Sequence, residues 1–301
     1  MSKDIAPDWI AVDWGTTNLR AFAMQGATVL ARAQSEDGMG KLSADQFEPA
    51  LAALIADWLT ADTVPIVACG MVGSRQGWVE APYRPVPCTP LADQLTPAPT
   101  SGDLDVRVIS GLSQAAPSDV MRGEETQIAG FMQLNPGWDG VLCLPGTHTK
   151  WAQLSAGEVV SFQTFMSGEL FALLSDKSVL RHSLKEAGWE DDAFSGAVND
   201  AISKPERLAA RLFGLRAGHL LHGTGAATTR AALSGLLIGA ELAAARPYWL
   251  GQNVAILGMG RQANAYLAAL ETQGVPAMLV DTESATLAGL TAAHRQSKAY
   301  S

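Results

Sequence analysis

Apolar and polar positions in the first third of the chain follow two periods. Trp9–Asp13, Leu19–Met24 and Thr28–Arg32 read as three short strands separated by turn residues. Ser43–Leu59 carries its apolar side chains at helical spacing, and the continuous apolar run Val64–Cys69 reads as a buried strand. The next stretch, from Gly70 to about Gly102, is irregular and rich in Pro and Gly, yet it holds Trp78, Tyr83 and Arg84. A loop of that length is functional or disordered, and its aromatics argue for order. Asp105–Ser110 resumes as a strand. Asp119-Val-Met-Arg122-Gly123-Glu124-Glu125 then opens a helix running to about Leu134.

From there the pattern starts again. Val141–Leu144 reads as a strand, Pro145–Lys150 as a turn, and Trp151–Leu154 and Val159–Phe165 as further strands. Helices fill much of Ser167–Ala245. Strand Val254–Leu257, helix Gln262–Leu270, strand Ala277–Asp281 and helix Ser284–Ala293 follow. The repeat is one of pattern and not of residue identity. A length of 301 residues suits two domains. The expected division is 1–118 and 119–283, with the closing helix 284–301 joining the first.

Composition narrows the class. Hydrophobic residues make up 48% and charged residues 17%, as in a globular α/β protein. A formal net charge of −9 argues against a nucleic-acid partner, which needs clustered Lys and Arg. Cys69, Cys88 and Cys143 have no metal-ligand spacing and read as reduced thiols. Met1-Ser-Lys-Asp lacks the apolar region of a secretion signal. The most apolar helical stretch, Ala231–Ala245, is too short to span a membrane and is interrupted by Ser234, Gly235 and Glu241. The expectation is a cytoplasmic protein with no membrane partner.

Five constellations carry candidate chemistry. Asp13-Trp-Gly15-Thr16-Thr17-Asn18-Leu-Arg20 places an acid and a small hydroxylated turn at a hairpin tip, suited to a hydrated cation and a phosphate. No helix follows, so it is not a Walker-type loop. Gly146-Thr147-His148-Thr149-Lys150 repeats the arrangement. Two such turns could grip a triphosphate and close on it. Gly258-Met259-Gly260-Arg-Gln-Ala263, with Asp281 ending the next strand, fits an adenosine-seating turn, and equally a dinucleotide fingerprint. Too little chain follows Asp281 to complete a doubly wound sheet of that second kind. Glu124 and Glu125 open a helix beside Arg122. Glu124 is the first choice for a general base that accepts a proton from an attacking hydroxyl, and Glu125 the second. The loop Cys69–Tyr83 offers Met71, Ser74, Arg75, Gln76, Trp78 and Tyr83 as substrate-binding candidates, with Arg122 as a further one. Those groups suit a polyhydroxylated acid, with Arg for a carboxylate, Ser and Gln for hydroxyls and a ring for C–H groups. Each constellation also has a plainer reading: a hairpin turn, a solvated helix cap, or a ring pinning a loop to the core.

Three leading strands, a helix and another strand match the order of a ribonuclease-H-like domain, and Asp-x-Gly-Thr-Thr on a hairpin resembles the first phosphate motif of the actin, hexokinase and Hsp70 superfamily. Taken with Gly70–Tyr83, Arg122–Gln127, Leu144–Trp151 and Phe165-Met-Ser-Gly-Glu-Leu-Phe171, the chain resembles the 2-keto-3-deoxygalactonate kinase family over nearly its whole length. Its second phosphate turn departs from the superfamily by having Thr147-His148-Thr149 in place of a Gly run.

The resemblance implies two ribonuclease-H-like (actin-like ATPase) domains with an interdomain cleft. It also implies ATP-dependent phosphorylation of the 6-hydroxyl of a keto-deoxy sugar acid, with Mg²⁺ held through water by Asp13. A homodimer is common in the superfamily. The alternatives are an NAD-dependent oxidoreductase built on Gly258–Asp281, a phosphohydrolase of the exopolyphosphatase type, which shares the Glu pair, and a nucleotide switch of the actin type with no small-molecule acceptor.

Overall fold

The computed structural model describes residues 5–59, 63–102, 104–185 and 188–299. The first four residues, read above for a missing signal, and the last two of the expected closing helix lie outside the described residues. The chain divides into two compact units. One comprises Met1–Trp138, Ser155–Ser161 and Thr282–Ser301, the other Asp139–Leu154 and Phe162–Asp281.

The first unit opens with β1 (Trp9–Trp14), β2 (Leu19–Gln25), β3 (Thr28–Ser35), α1 (Phe47–Ile55) and β4 (Pro65–Cys69). Next come β5 (Tyr83–Pro85), β6 (Thr96–Pro97), β7 (Asp105–Val108), β8 (Gly111–Gln114), β9 (Asp119–Met121) and α2 (Glu124–Leu134). Its main sheet has the order β3-β2-β1-β4-β7-β6, and β5-β8-β9 form a small second sheet. β1 runs antiparallel to β2 and parallel to β4, and β4 is parallel to β7.

The second unit contains β10 (Gly140–Leu144), β11 (Thr149–Ser155), β12 (Glu158–Phe165), α3 (Ser167–Asp176), α4 (Asp191–Ser203), α5 (Leu208–His222), α6 (Ala226–Ala244), α7 (Arg246–Trp249), β13 (Val254–Leu257), α8 (Gly260–Glu271) and β14 (Ala277–Val280). Its sheet order is β12-β11-β10-β13-β14. β10 is antiparallel to β11 and parallel to β13, which is parallel to β14. Strand for strand, this repeats β3-β2-β1-β4-β7. The tip of the β11–β12 hairpin groups with the first unit, where Val159 bridges Cys88.

Period-two alternation sorts β1 between two layers. Ile10, Val12 and Trp14 face a core shared with Phe47, Leu51 and Ile55 of α1. Trp9 and Ala11 face the other way, into a core with Val67, Cys69, Ala129 of α2, and Leu290 and Ala293 of α9 (Thr282–Ala299). His294 of α9 stacks on Trp9 with ring centroids 4.3 Å apart, and burial lowers its pKa to about 4. The expected division at 118/119 puts α2 in the second unit, whereas the structure packs it on α9 in the first.

Other departures are local. The helix expected over Ser43–Leu59 is α1 flanked by single 3-10 turns at Ala44–Gln46 and Ala56–Trp58. The strand expected to end at Ser110 stops at Val108. Thr149 and Lys150, expected in the second turn, belong to β11, where Lys150 pairs with Leu144. Among the described residues no helix is long and apolar enough to cross a membrane.

Helices α2 and α9 touch backbone to backbone. A Cβ on Gly130 would lie 1.7 Å from the Ala285 carbonyl oxygen, and one on Gly289 would lie 1.9 Å from that of Thr126. Neither rotamer choice nor side-chain adjustment relieves a clash with a carbonyl. Gly289→Ala is therefore expected to destabilise the protein by about 3 kcal/mol, the upper end for overpacking. Urea titration checks this, and an unchanged midpoint would contradict the contact.

Candidate active site

The alternation that points Trp9 and Ala11 toward α2 also carries Asp13, the last but one residue of β1, to that side. Its register partner on β4 is Cys69, whose Sγ lies 4.0 Å from Asp13 Oδ1. Arg20 Nη1 stands 3.8 Å from Asp13 Oδ2, and the carboxylate remains 28% exposed. Burial raises the Asp13 pKa, and Arg20 opposes the rise. The turn that follows is braced from outside. Met39 and Gly40 donate backbone N–H groups to the Gly15 and Thr16 carbonyls, and the Trp14 indole donates to Asp37 O. With those carbonyls engaged, the side chains of Thr16, Thr17 and Asn18 stay exposed.

Two glycines bring α2 to the same place. Gly70, directly after β4, has φ +95°, and a Cβ there would lie 2.7 Å from the Trp14 carbonyl oxygen. Gly123, directly before α2, has φ +105° and packs on the Gly70 Cα. The carboxyl ends of parallel β1 and β4, where ligands bind in open α/β sheets, thus meet the start of α2.

The Glu125 carboxylate is buried there. Its Oε2 accepts the Gly123 N–H at 2.7 Å and its Oε1 accepts the Thr126 hydroxyl at 3.1 Å. Burial, with the Glu124 charge beside it, raises its pKa to about 8. Glu124 is partly exposed, and its Oε2 accepts the Arg122 N–H at 3.0 Å. A neutral, enclosed Glu125 makes a poor proton acceptor, so this arrangement favours Glu124 for that role. Burial raises the Cys69 thiol pKa further, helped by the neighbouring Asp13 and Glu125 carboxylates.

The loop after β4 divides into buried and open positions. Trp78 stacks on Phe47, meets Trp14 edge-on and donates its indole N–H to Pro99 O. It pins the loop to the core and presents no face to a sugar, which corrects its expected binding role. Arg75 and Gln76 are exposed, Met71 is half-buried and Ser74 is buried. Tyr83 is 41% exposed and lies over the Arg122 guanidinium, 4.2 Å from ring centroid to Cζ.

In the second unit the equivalent turn is Pro145–His148. Gly168, at the start of α3, packs so closely on it that a Cβ would lie 2.1 Å from the Gly146 carbonyl oxygen. Glu169 donates its N–H to Thr147 O, and its Oε2 lies 2.6 Å from His148 Nε2. Gln262 of α8 donates to Gly146 O at 2.9 Å. Thr149 does not point outward: its hydroxyl is buried, 2.9 Å from the Tyr266 hydroxyl. Tyr266 donates to Glu241 Oε2, and Trp151 donates to Glu241 Oε1, both at 2.8 Å. Lys150 is buried as well. The outward part of the turn is therefore Gly146, Thr147 and His148.

Beside it lies a pocket of about 330 Å³, lined by Gly146, Thr147, Arg230, Arg261, Gln262 and Tyr266 among others. Gly258 follows β13 as Gly70 follows β4. Gly260 starts α8 with φ +72°, and Met259 is 70% exposed. Sequence reading found this edge of the pocket. It missed Trp189 on the segment before α4 and Arg230 and Ser234 on α6, which also line it and are near Gly146 only through tertiary packing. The dinucleotide alternative fails on topology: antiparallel β10 and β11 build half of this sheet, and β14 is its edge strand.

The Glu125 environment sets a pH dependence. Between about 4.5 and about 8 the folded state keeps a proton that the unfolded chain releases, so stability falls as pH rises through that window. Glu125→Gln is expected to flatten this slope and to raise the melting temperature at pH 8 more than at pH 5. Thermal melts of both proteins across pH 5–8 check it, and parallel curves would contradict it.

The family model described as 2-keto-3-deoxy-galactonokinase matches residues 13–293. A relative from Rhizobium meliloti (strain 1021) named as a 2-dehydro-3-deoxygalactonokinase is 40% identical, the match covering 95% of this chain and 96% of that one. The 2-dehydro-3-deoxygalactonokinase of Escherichia coli (strain K12) is 38% identical, covering 94% and 96%. A crystal structure of a protein of that name from Sinorhizobium meliloti superposes with a TM-score of 0.90 at 39% identity, covering 95% and 98%. The activator of 2-hydroxyisocaproyl-CoA dehydratase from Clostridium difficile, at TM-score 0.55 and 10% identity over 97% and 96%, shares the fold alone. The oxidoreductase and phosphohydrolase alternatives have no support among these relatives. The chain belongs to the 2-keto-3-deoxy-galactonokinase family.

Proposed function

We propose that the protein transfers the γ-phosphoryl group of ATP to the 6-hydroxyl of 2-dehydro-3-deoxy-D-galactonate, giving the 6-phosphate in galactonate breakdown. The observation that carries this reading is the pairing of family membership with Asp13, Glu124 and Glu125 gathered at the carboxyl ends of β1 and β4. The first unit supplies the acceptor and acid groups. The second supplies the nucleotide groups: Gly146, Thr147 and His148 toward the phosphates, and the neighbouring pocket for adenosine. A pocket of that size and mixed lining suits a nucleoside.

Among the described residues no three metal-ligating side chains cluster. Mg²⁺ needs no such cage, since it keeps several waters and takes one or two carboxylates plus substrate phosphates. Asp13 fits that donor set, because burial penalises its charge and a nearby cation offsets the penalty. Asp13 would hold the ion through water, and the exposed Thr16 and Thr17 hydroxyls would face the phosphates; the ion when bound neutralises charge on the phosphate oxygens.

This chain's own groups do the rest. Glu124 accepts the proton of the 6-hydroxyl as the bond to phosphorus forms. Arg20 offsets charge near the phosphates, while Met71, Arg75, Gln76 and Tyr83 surround the acceptor.

Replacing Glu124 with Gln is expected to lower kcat by about 10²–10⁴-fold, the usual loss for a general base, with little change in KM for ATP. Asp13→Asn should fold and show almost no transfer. ADP release coupled to 2-dehydro-3-deoxygalactonate measures both. Normal turnover in Asp13→Asn would remove its cation role, and a loss confined to Glu125→Gln would move the base by one residue.

A further inference from the structure

We propose that Arg122 and Ser74 form the subsite for the substrate's carboxylate and that Tyr83 is its movable cap, an inference that rests on the sugar-acid kinase reading above. Arg122 is 7% exposed and Ser74 5%. A guanidinium carries five N–H donors. The Ala81 carbonyl takes one from Nη2 at 2.8 Å. Among the described residues, Arg122 Nε and Nη1 and Ser74 Oγ are buried with no hydrogen-bond partner. Gly73, next to Ser74 in sequence, packs on Arg122 Nη1 so closely that a Cβ there would lie 2.9 Å from it, which brings the Ser74 segment beside the guanidinium.

A buried cation without an anion is costly to hold, more so than a buried neutral group. The acids next in sequence are turned to the backbone: Glu124 accepts the Arg122 N–H and Glu125 the Gly123 N–H, and although the Arg122 charge favours the Glu125 carboxylate, burial outweighs it and leaves that carboxyl a poor counter-ion. The Tyr83 ring offers the charge a π face but no lone pair to the N–H groups. What completes the set is a small anion that accepts several N–H bonds and one hydroxyl bond, which describes a carboxylate. The exposed Arg75, the reading from sequence, lacks this enclosure. Tyr83 is 41% exposed and sits in a three-residue edge strand, so it is the piece that can swing aside for a ligand to enter.

The test compares 2-dehydro-3-deoxygalactonate with its methyl ester, which keeps the 6-hydroxyl and removes the charge. The wild type should prefer the acid by about 100-fold in kcat/KM, as expected for a buried charge pair. Arg122→Gln should cut acid turnover far more than ester turnover and bring the ratio near one. Ser74→Ala removes a buried hydroxyl that has no partner. It should therefore melt no lower than the wild type, yet lose roughly tenfold of the preference through KM.

Equal losses for acid and ester in both variants would assign Arg122 a structural role only and overturn the proposal, as would an unchanged ratio. Should Arg122→Gln fail to fold, Ser74→Ala decides alone. Melting-temperature shifts with acid or ester, without nucleotide, read the same subsite with no catalysis. An acid-specific shift in a wild type that releases no ADP would remove the kinase reading and keep the subsite, whereas ADP release with no acid preference would do the opposite.

Discussion

The arrangement of the first unit depends on three stretches of backbone meeting with no side chain between them. The Trp14 carbonyl, Gly70 and Gly123 are in contact, and any Cβ at Gly70 would strike the carbonyl. Both glycines also adopt positive φ, so two separate reasons bar other residues. Because β4 ends and α2 begins at this junction, the acid of β1, the thiol of β4 and the two acids of α2 fall within one small volume. Burial then does the electrostatic sorting. Glu125 is enclosed and held near neutrality at pH 7, while Glu124, one residue earlier, keeps solvent access.

The second unit repeats the strand order with different chemistry at the equivalent turn. Where the first has an acid at the strand end, the second has a turn gripped by α3 and α8 and underpinned by Glu241. That carboxylate accepts from Trp151, Tyr266 and Ser167, and these bonds oppose the rise that burial gives its pKa. A carboxylate bonded on this scale ties β11, α3, α6 and α8 together beneath Gly146–His148. One topology thus carries an acid at the strand end in one unit and a turn held by α3 and α8 in the other.

Much of this was legible in the residues because strands with buried faces announce themselves. Trp9–Asp13 and Val141–Leu144 are apolar runs ended by turn residues, and both turns follow from them. The boundaries were less legible: Thr149 and Lys150 look like turn residues, but pairing with Leu144 extends β11 over them and buries them. The β5-β8-β9 sheet was invisible because strands of three or four residues hold too few positions to show a period. Trp78 and Arg122, both candidates for the acceptor site, part company for a related reason. Sequence shows that a ring and a guanidinium are present, but only packing shows which is enclosed. Trp78 closes against Phe47, while Arg122 reaches back some forty residues to Ala81.

The position of α9 bears on how the chain matures. Trp9, Ala11 and Cys69 share their layer with Ala129 of α2 and with Leu290 and Ala293, so the sheet built first stays only partly covered there until residues 282–299 have been made. A nascent chain stalled before residue 282 would display the remainder of that oily layer, a target for holding chaperones and a template for sticking to its neighbours.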